Sequence, residues 1–230
     1  MALWDDIKFQ FKTGNILMQL IYINGGVFLG MMVLRLLFYL TSNADTFSLI
    51  SYYLTIPSSF KLLLLRPWTV LTHMFLHNGF LHILFNMVWL YFGGTIFLQF
   101  LDSKKLLSTY ILGGLSGAVF FIMSMNLFPV FSENAPFAVA QGASAAVLAI
   151  VVAAATTVPN FVVRLVLLGP VKLKYIALVS VLLDIIFIPD GNAGGHFGHL
   201  GGAFFGFIFA SQLKRGNDLT VDFMKPIYWI

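Results

Sequence analysis

The chain has 230 residues, of which 59% are hydrophobic and only 10% are charged, with a net charge of +4 and no cysteine. An ordinary soluble domain carries about 25% charged residues, so this chain has too few to cover a surface that faces water, and a soluble globular protein is nearly ruled out. The basic residues are scattered between apolar runs rather than gathered on one face, which argues against a nucleic-acid partner, and the lack of cysteine excludes disulfides and thiol catalysis.

Six apolar segments follow one another along the chain, and each is a candidate membrane-spanning helix. Crossing a bilayer core takes about 20 mostly apolar residues, within a range of about 17–25. The segments are Ile16–Leu40, Leu81–Leu101, Leu106–Phe128, Ser144–Val158, Val171–Ile188 and Phe197–Leu213. The fourth is short, and Pro159 is expected to end it. The predicted fold is an all-α polytopic membrane protein, with a six-helix domain over residues 16–213 and short tails over 1–15 and 214–230.

The basic residues predict how the bundle sits in the membrane, because cytoplasmic loops carry an excess of Lys and Arg. With the N-terminus inside, the outer segments hold only Lys61 and Arg66. The inner segments hold ten bases: Lys8, Lys12, Lys104, Lys105, Arg164, Lys172, Lys174, Lys214, Arg215 and Lys225. Both termini are therefore expected in the cytoplasm, and the bias suits a bacterial inner membrane. The first segment is interpreted as a retained helix, since it exceeds the apolar region of a signal peptide and no A-x-A site follows it.

The first outer loop, from about residue 41 to residue 81, is expected to associate with the membrane. Its stretch Phe47–Val70 mixes Tyr52, Tyr53 and Trp68 with leucines and two prolines. Trp and Tyr anchor segments at the interface between headgroups and hydrocarbon. A loop exposed only to water would be more polar.

Polar residues within the predicted spans are costly and are functional candidates by default, and four of them stand out. His82 and Asn86 are four residues apart and share one face of the second span. Ser144 begins the fourth span, and His199 lies in the first turns of the sixth. The topology brings all four near the outer ends of their helices, at one membrane depth. Any one of them alone is more often a packing residue, so the functional hypothesis rests on this shared depth.

This set of side chains suits acyl transfer, the hydrolysis of an amide or ester at the outer leaflet. A serine hydroxyl needs a base to take its proton, and histidine, with an ordinary pKa of about 6.5, is mostly neutral at pH 7 as a base must be. Ser144 is the predicted nucleophile and His199 the predicted base. The amide of Ser144 and the side chains of His82 and Asn86 are the predicted donors to the oxyanion.

Glycines on the sixth span predict close helix packing. Gly198, Gly202 and Gly206 recur every four residues, a small-residue face that lets another helix approach closely. If that neighbour is the fourth span, Ser144 and His199 come within hydrogen-bond distance.

These motifs resemble those of the rhomboid family of intramembrane serine proteases, which shows a histidine-rich run leading into H-x-x-x-N, then G-x-S-G, then H-x-x-G-x-x-x-G. In this chain the run Leu71–Leu81 leads into His82-Ile83-Leu84-Phe85-Asn86, followed by Gly142-Ala143-Ser144-Ala145 and His199-Leu200-Gly201-Gly202-Ala203-Phe204-Phe205-Gly206. The resemblance covers about residues 68–213. It implies a six-helix fold with a Ser144–His199 dyad in a water-filled cavity, in which His82 and Asn86 assist the oxyanion.

Two positions depart from the family pattern. Ala145 stands where a glycine usually follows the serine, which is expected to tighten the backbone. The Trp-Arg pair common in the first loop reads Trp68-Thr69, with Arg66 nearby. Neither change removes a catalytic group, and both are expected to affect rate or stability.

The sequence offers two alternatives to the dyad. Asp184 precedes His199, which gives the order Ser–Asp–His of α/β-hydrolases, but that arrangement needs a strand before the serine and a sheet around it; a dyad is preferred, with Asp184 as a buried, hydrogen-bonded acid. His73, His77 and His82 have spacing that can hold zinc. No acid lies between residues 46 and 100 to complete an H-E-x-x-H motif, so no metal is predicted.

The non-enzyme alternatives are a transporter and a rhomboid-like protein that binds transmembrane clients without cleaving them. A transporter is expected to show inverted repeats or broken helices at the midplane, and neither is found. Client binding stays open as the alternative because Ala145 can disable a complete site. The predicted function is a serine endopeptidase that cleaves membrane-protein substrates in or near their transmembrane segments, within the lipid bilayer and without a cofactor; no oligomeric state is predicted.

Overall fold

The computed structural model describes Phe11 and residues 14–165 and 168–224, and most of them are helical. In chain order the helices are α1 (Ile16–Leu40), α2 (Ala44–Leu54), α3 (Phe60–Leu65), α4 (Thr69–Thr72), α5 (Phe80–Phe100), α6 (Ser103–Leu127), α7 (Ser144–Thr157), α8 (Leu173–Ile186), α9 (Ala193–Lys214) and α10 (Val221–Met224). Between them lie the 3₁₀ turns His73–Phe75, Pro129–Phe131 and Ile188–Asp190, and the short strands β1 (Ile56–Pro57), β2 (Val139–Ala140), β3 (Val162–Leu165) and β4 (Gly169–Lys172).

Six long helices, α1 and α5 to α9, correspond to the six predicted spans, and no boundary differs by more than four residues. Among the described residues, α1, α5 and α6 are long and apolar enough to cross a membrane. Helices α7 and α8 have 14 residues each, which at 1.5 Å per residue is shorter than a hydrocarbon core of about 30 Å. The prediction of an all-α polytopic membrane bundle is confirmed, whereas the number of crossings stays a prediction.

Helix α7 is the centre of the bundle. Its residues 146–155 are all buried, and most of them are alanine or valine. Small side chains let the neighbouring helices come close: a Cβ atom at Gly202 of α9 would overlap the carbonyl oxygen of Ala145, and one at Gly206 would overlap the carbonyl oxygen of Ala149. The predicted close approach of the sixth helix to the fourth is therefore present.

The glycines of α9 serve two neighbours rather than one. Gly202 and Gly206 face α7, whereas the nearest atom to a Cβ placed on Gly198 is the carbonyl oxygen of Gly117 in α6, at 3.7 Å. A Cβ on Gly117 would in turn overlap the side chain of Ala145. Three helices thus meet at glycine and alanine positions just beside Ser144.

The segment between α1 and α5, called the first loop below, is tied to the segment that precedes α7. Strands β1 and β2 pair antiparallel, with Ile56 opposite Ala140. Two residues beyond β2, the amide of Gly142 donates a hydrogen bond of 2.8 Å to the carbonyl of His73. Strands β3 and β4 form a separate hairpin between α7 and α8. The backbone that leads into α7 is therefore held by the loop on one side.

Arg66 and Trp68 anchor this loop internally. The Arg66 guanidinium carbon lies 3.9 Å from the ring centre of Tyr53 and 4.5 Å from that of Tyr52. The indole N–H of Trp68 donates to the carbonyl of Tyr53 at 2.8 Å, and the Thr69 hydroxyl donates to the carbonyl of Arg66 at 2.7 Å. The arginine that precedes Trp68 therefore anchors the loop through cation–π contacts, while Thr69 is buried within it.

Candidate active site

Ser144 is the first residue of α7, and Gly142 makes the turn that leads into this helix. Gly142 has a φ of +133°, a conformation that favours glycine because it has no Cβ. Since the first amides of a helix have no intrahelical acceptor and carry the positive end of its dipole, the backbone around Ser144 is suited to hold a negative charge.

His199 of α9 lies against Ser144. Its Nε2 is 2.7 Å from the Ser144 Oγ, a normal hydrogen-bond distance. The two residues are 55 positions apart in sequence, and the close packing of α9 on α7 at Gly202 brings them together. The predicted nucleophile and the predicted base are therefore in direct contact.

Asp184, near the end of α8, contacts the other side of the His199 ring. Its Oδ1 is 2.7 Å from His199 Nδ1 and 2.8 Å from His196 Nδ1. The predicted Ser144–His199 dyad did not include this contact, although Asp184 was expected to be a buried, hydrogen-bonded acid. The side chain is 12% exposed, so the carboxylate is largely shielded from water.

A signal for this contact is present in the sequence. Asp184 is the only acidic residue within the six predicted spans, and His196 and His199 are three residues apart, which places them on one helix face. An acid inside a membrane segment is expected to have a partner that compensates for its burial. The α/β-hydrolase comparison drew attention instead to a missing strand and sheet.

His82 and Asn86, the predicted oxyanion residues, lie on α5 beside the serine. The point at which a Cβ would stand on Gly142 is 3.0 Å from His82 Nε2 and 3.5 Å from the Ser144 Oγ. His82 Nδ1 accepts a long hydrogen bond of 3.4 Å from the amide of Asn78, which leaves the ring proton on Nε2. Asn86 is buried, and its Nδ2 donates to the His82 carbonyl at 2.9 Å.

All four predicted site residues line one cavity of about 950 Å³. Its walls come from α2, α5, β2, α7, α8 and α9. Phe85 and Trp89 of α5 and Leu183 of α8 supply apolar lining, whereas Gln141 and Asp184 add polar groups. This mixture of apolar walls and a few convergent polar groups is typical of a ligand site.

The two histidines of the first loop, His73 and His77, have different surroundings from His82 and His199 at the site. Burial lowers the pKa of His73 to about 4, and its Nδ1 lies 2.7 Å from the carbonyl of Thr69. Burial, together with the neighbouring His82 ring, also lowers the pKa of His77 to about 4. His73 is therefore a neutral donor to the backbone of its own turn, and His77 packs edge-on against His82 at 5.1 Å between ring centres.

A metal could be held only by donor atoms that lie close together. Among the described residues, such a group is formed by Asp184, His196 and His199, whose donor atoms all lie within 4.8 Å of one another. It differs from the set of three histidines considered from the sequence. Hydrogen bonds within the group already satisfy the two Nδ1 atoms and the carboxylate oxygen between them.

Comparison with known proteins agrees with this architecture. A family model described as Rhomboid domain matches residues 65–215. RHOMBOID-like protein 12, mitochondrial, from Arabidopsis thaliana is 29% identical over 161 residues, which cover 66% of this chain and 48% of the relative. The chain thus spans about half the length of this curated relative. Because the family model matches more than half of the chain, the protein belongs to the rhomboid family.

Proposed function

We propose that the protein is an intramembrane serine endopeptidase that hydrolyses peptide bonds in or near the transmembrane segments of membrane-protein substrates. The observation that carries the proposal is the 2.7 Å contact between Ser144 Oγ and His199 Nε2, at the wall of a cavity within the helix bundle. A serine beside an imidazole is the arrangement that activates a hydroxyl for attack on a carbonyl.

The reaction proceeds through an acyl-enzyme. Ser144 Oγ forms a bond to the scissile carbonyl carbon while its proton passes to His199 Nε2. The C–N bond then breaks, and the leaving amine takes the proton from His199. Water attacks the ester by the same route, with His199 first as base and then as acid.

The oxyanion would lie beside Gly142. The space left by the missing Cβ of this glycine is bordered by His82 Nε2 at 3.0 Å and Ser144 Oγ at 3.5 Å. A carbonyl oxygen there can receive hydrogen bonds from the His82 ring and from the amide of Ser144, and Asn86 lines the same cavity. Removing one such donor typically lowers kcat by about 10²–10³.

The substrate class follows from the surroundings of the serine. The cavity has apolar walls from α5 and α7, which suit apolar side chains of a membrane segment. A helical substrate must unwind before attack, because its carbonyls are occupied by their own hydrogen bonds. Substrates stiffened with Leu and Ala around the scissile bond are therefore expected to be cleaved more slowly than ones that carry Gly or Pro; equal rates in a matched substrate pair would contradict this requirement.

Ala145 does not separate the nucleophile from the base. Its side chain faces Gly117, so this glycine of α6 makes room for the methyl group that distinguishes Ala145 from the family's usual glycine, whereas Gly202 packs against the Ala145 backbone. This accommodation favours the enzyme over a protein that only binds clients.

We also propose the arrangement in the membrane predicted from charge: residues 16–213 form a six-helix membrane domain, with both termini in the cytoplasm of a bacterial cell and the site near the outer face. Labelling of single cysteines introduced at Lys104 and Lys61, from either side of sealed vesicles, tests it. The cysteine introduced at Lys61 is expected to react only with reagent on the outer side of the membrane.

The function is tested by incubating the purified protein in detergent with several single-span substrates, beside Ser144→Ala. Cleavage by the wild type that is lost in Ser144→Ala supports the proposal. Equal cleavage by both proteins would show a different nucleophile or a contaminant. Binding of the substrates without cleavage, by a folded wild type, would favour the client-binding alternative.

A further inference from the structure

We propose that Asp184 is a positioning residue for His199: its carboxylate selects the tautomer and the ring orientation in which His199 Nε2 can take the proton of Ser144. The inference rests on the proposed function, and it adds a third member to the Ser144–His199 pair. It assigns a role in the chemistry to α8, which otherwise lines the cavity with Ser180 and Leu183.

The hydrogen-bond directions carry the first step. An ionised carboxylate can only accept hydrogen bonds, so the nitrogen that faces Asp184 Oδ1 at 2.7 Å, His199 Nδ1, bears the proton. A neutral imidazole has one protonated nitrogen, and its Nε2 therefore presents a lone pair to the Ser144 hydroxyl at 2.7 Å. This is the tautomer that a general base requires. The opposite tautomer would place a proton between Nε2 and the serine.

The second step concerns charge. When His199 takes the serine proton, an imidazolium forms 2.7 Å from the Asp184 oxygen. Charges attract more strongly where water is largely excluded, and the Asp184 side chain is only 12% exposed. The carboxylate thus stabilises the charge that develops during attack on the substrate.

The third step concerns how the carboxylate itself is held. His196 Nδ1 lies 2.8 Å from the same Oδ1 atom, so a second N–H fixes the oxygen that faces His199. The two rings meet edge-on, with their centres 5.9 Å apart. One carboxylate of α8 thus accepts hydrogen bonds from two histidines of α9.

A purely structural role is the competing explanation, because the same contacts tether α8 to α9. The buried apolar residues of α8 are Leu173 and Ala177, which both lie in its first half. Asp184 therefore makes its polar contact with α9 in the half of α8 that has no buried apolar residue. A tether would require the shape and hydrogen bonds of the side chain. A positioning role also requires its negative charge.

The test therefore separates shape from charge. Asp184→Asn keeps the shape and removes the charge, whereas Asp184→Glu keeps the charge and lengthens the side chain. Asp190→Asn is the matched control, because Asp190 is an exposed acid six residues further along the chain. Two readouts are used: kcat and KM for a cleaved single-span substrate, and the rate at which a fluorophosphonate labels Ser144, where the Oγ–P bond forms, fluoride leaves and His199 takes the proton.

The expected result is that Asp184→Asn lowers kcat by about 10²–10⁴, the scale of the loss when the acid of a Ser-His-Asp triad becomes an amide, with KM unchanged. Labelling slows in parallel, Asp184→Glu retains more activity than Asp184→Asn, and Asp190→Asn matches the wild type. Asp184→Asn as active as Asp184→Glu, or a lowered unfolding midpoint with unchanged kcat, would overturn the positioning role and leave the protease intact. A wild type that neither cleaves nor is labelled would overturn the proposed function first, and this role with it.

Discussion

Gly202→Ala is expected to separate the two helices that carry Ser144 and His199. The added Cβ would overlap the carbonyl oxygen of Ala145, a backbone atom that cannot rotate away. Helix α9 must therefore shift, and it carries His199 with it. Overpacking a well-packed site costs about 1–3 kcal/mol, and a misplacement of about 1 Å in an active site can lower the rate by about 10².

Gly30→Ala is the matched control for this substitution. Gly30 lies in the middle of α1, and a Cβ there would meet no atom within 4 Å. Replacing glycine by alanine inside a helix gains about 1 kcal/mol when the space is open, so the control is expected to be neutral or slightly more stable. The difference between the two variants isolates the effect of the overlap with α7 from the effect of helix propensity.

The assay has two parts, carried out on both variants in the same detergent. The midpoint of unfolding in a titration with sodium dodecyl sulfate reports stability, and the cleavage rate of a single-span substrate reports the site. Gly202→Ala is expected to lower both, and Gly30→Ala neither. Full activity in Gly202→Ala would refute the reasoning, because it would mean that the contact of α9 with α7 does not control the distance from serine to histidine.

The remaining predictions concern the proposed oxyanion residues and the first loop. His82→Ala and Asn86→Ala are each expected to lower kcat by about 10²–10³ with little change in KM; an unchanged kcat in steady-state kinetics would remove that side chain from the oxyanion site. Gly142→Ala forces a side chain into a φ of +133° and against the His82 ring, and a loss of about 1–3 kcal/mol is expected in the unfolding titration, against Gly30→Ala as control. The pKa of His73 is about 4 in the folded protein, below its ordinary 6.5. Between these two pH values the unfolded chain therefore binds more protons than the folded protein. The contribution of His73 to the free energy of unfolding is complete above pH 6.5 and is lost towards pH 4, by up to about 3 kcal/mol. In His73→Gln the unfolding midpoint is expected to fall less steeply with decreasing pH than in the wild type. An equally steep fall in both proteins would contradict this role of His73.

The helices could be predicted from sequence because their signal is local. Each apolar run is bounded by polar or turn residues, and all six segments correspond to long helices within four residues at each end. The least certain segment was the fourth, which is short. Its helix, α7, ends at Thr157, two residues before Pro159, as the proline predicts.

The contact between Ser144 and His199 could be anticipated only through an inference about packing. The glycine spacing of the sixth span indicates a close approach, but it does not say which helix comes close. In the structure Gly202 faces α7 whereas Gly198 faces α6. A spacing of four residues cannot distinguish these neighbours, because each helix face is shared by whichever elements the whole bundle brings to it.

The Asp184 contact illustrates a different limit. A carboxylate in an apolar helix implies a partner, yet the sequence does not identify which histidine is within reach. The partner depends on how α8 and α9 cross, and that crossing is determined by long-range packing. The comparison with α/β-hydrolases was less informative than the rule that a carboxylate in a membrane segment needs a partner. The three side chains of a triad can meet on any fold, with or without a sheet.

The residues that make the site possible are mostly not the reactive ones. Proton transfer from serine to histidine requires contact between the helices that carry them, and that distance is determined by Gly202 and Ala145 rather than by either reactive side chain. Gly117 in turn leaves space for the Ala145 side chain on the other face. The side chain of Ala145 is therefore compatible with this packing only while a glycine faces it from α6, so the departure at Ala145 has to be judged together with Gly117 and not as a single change.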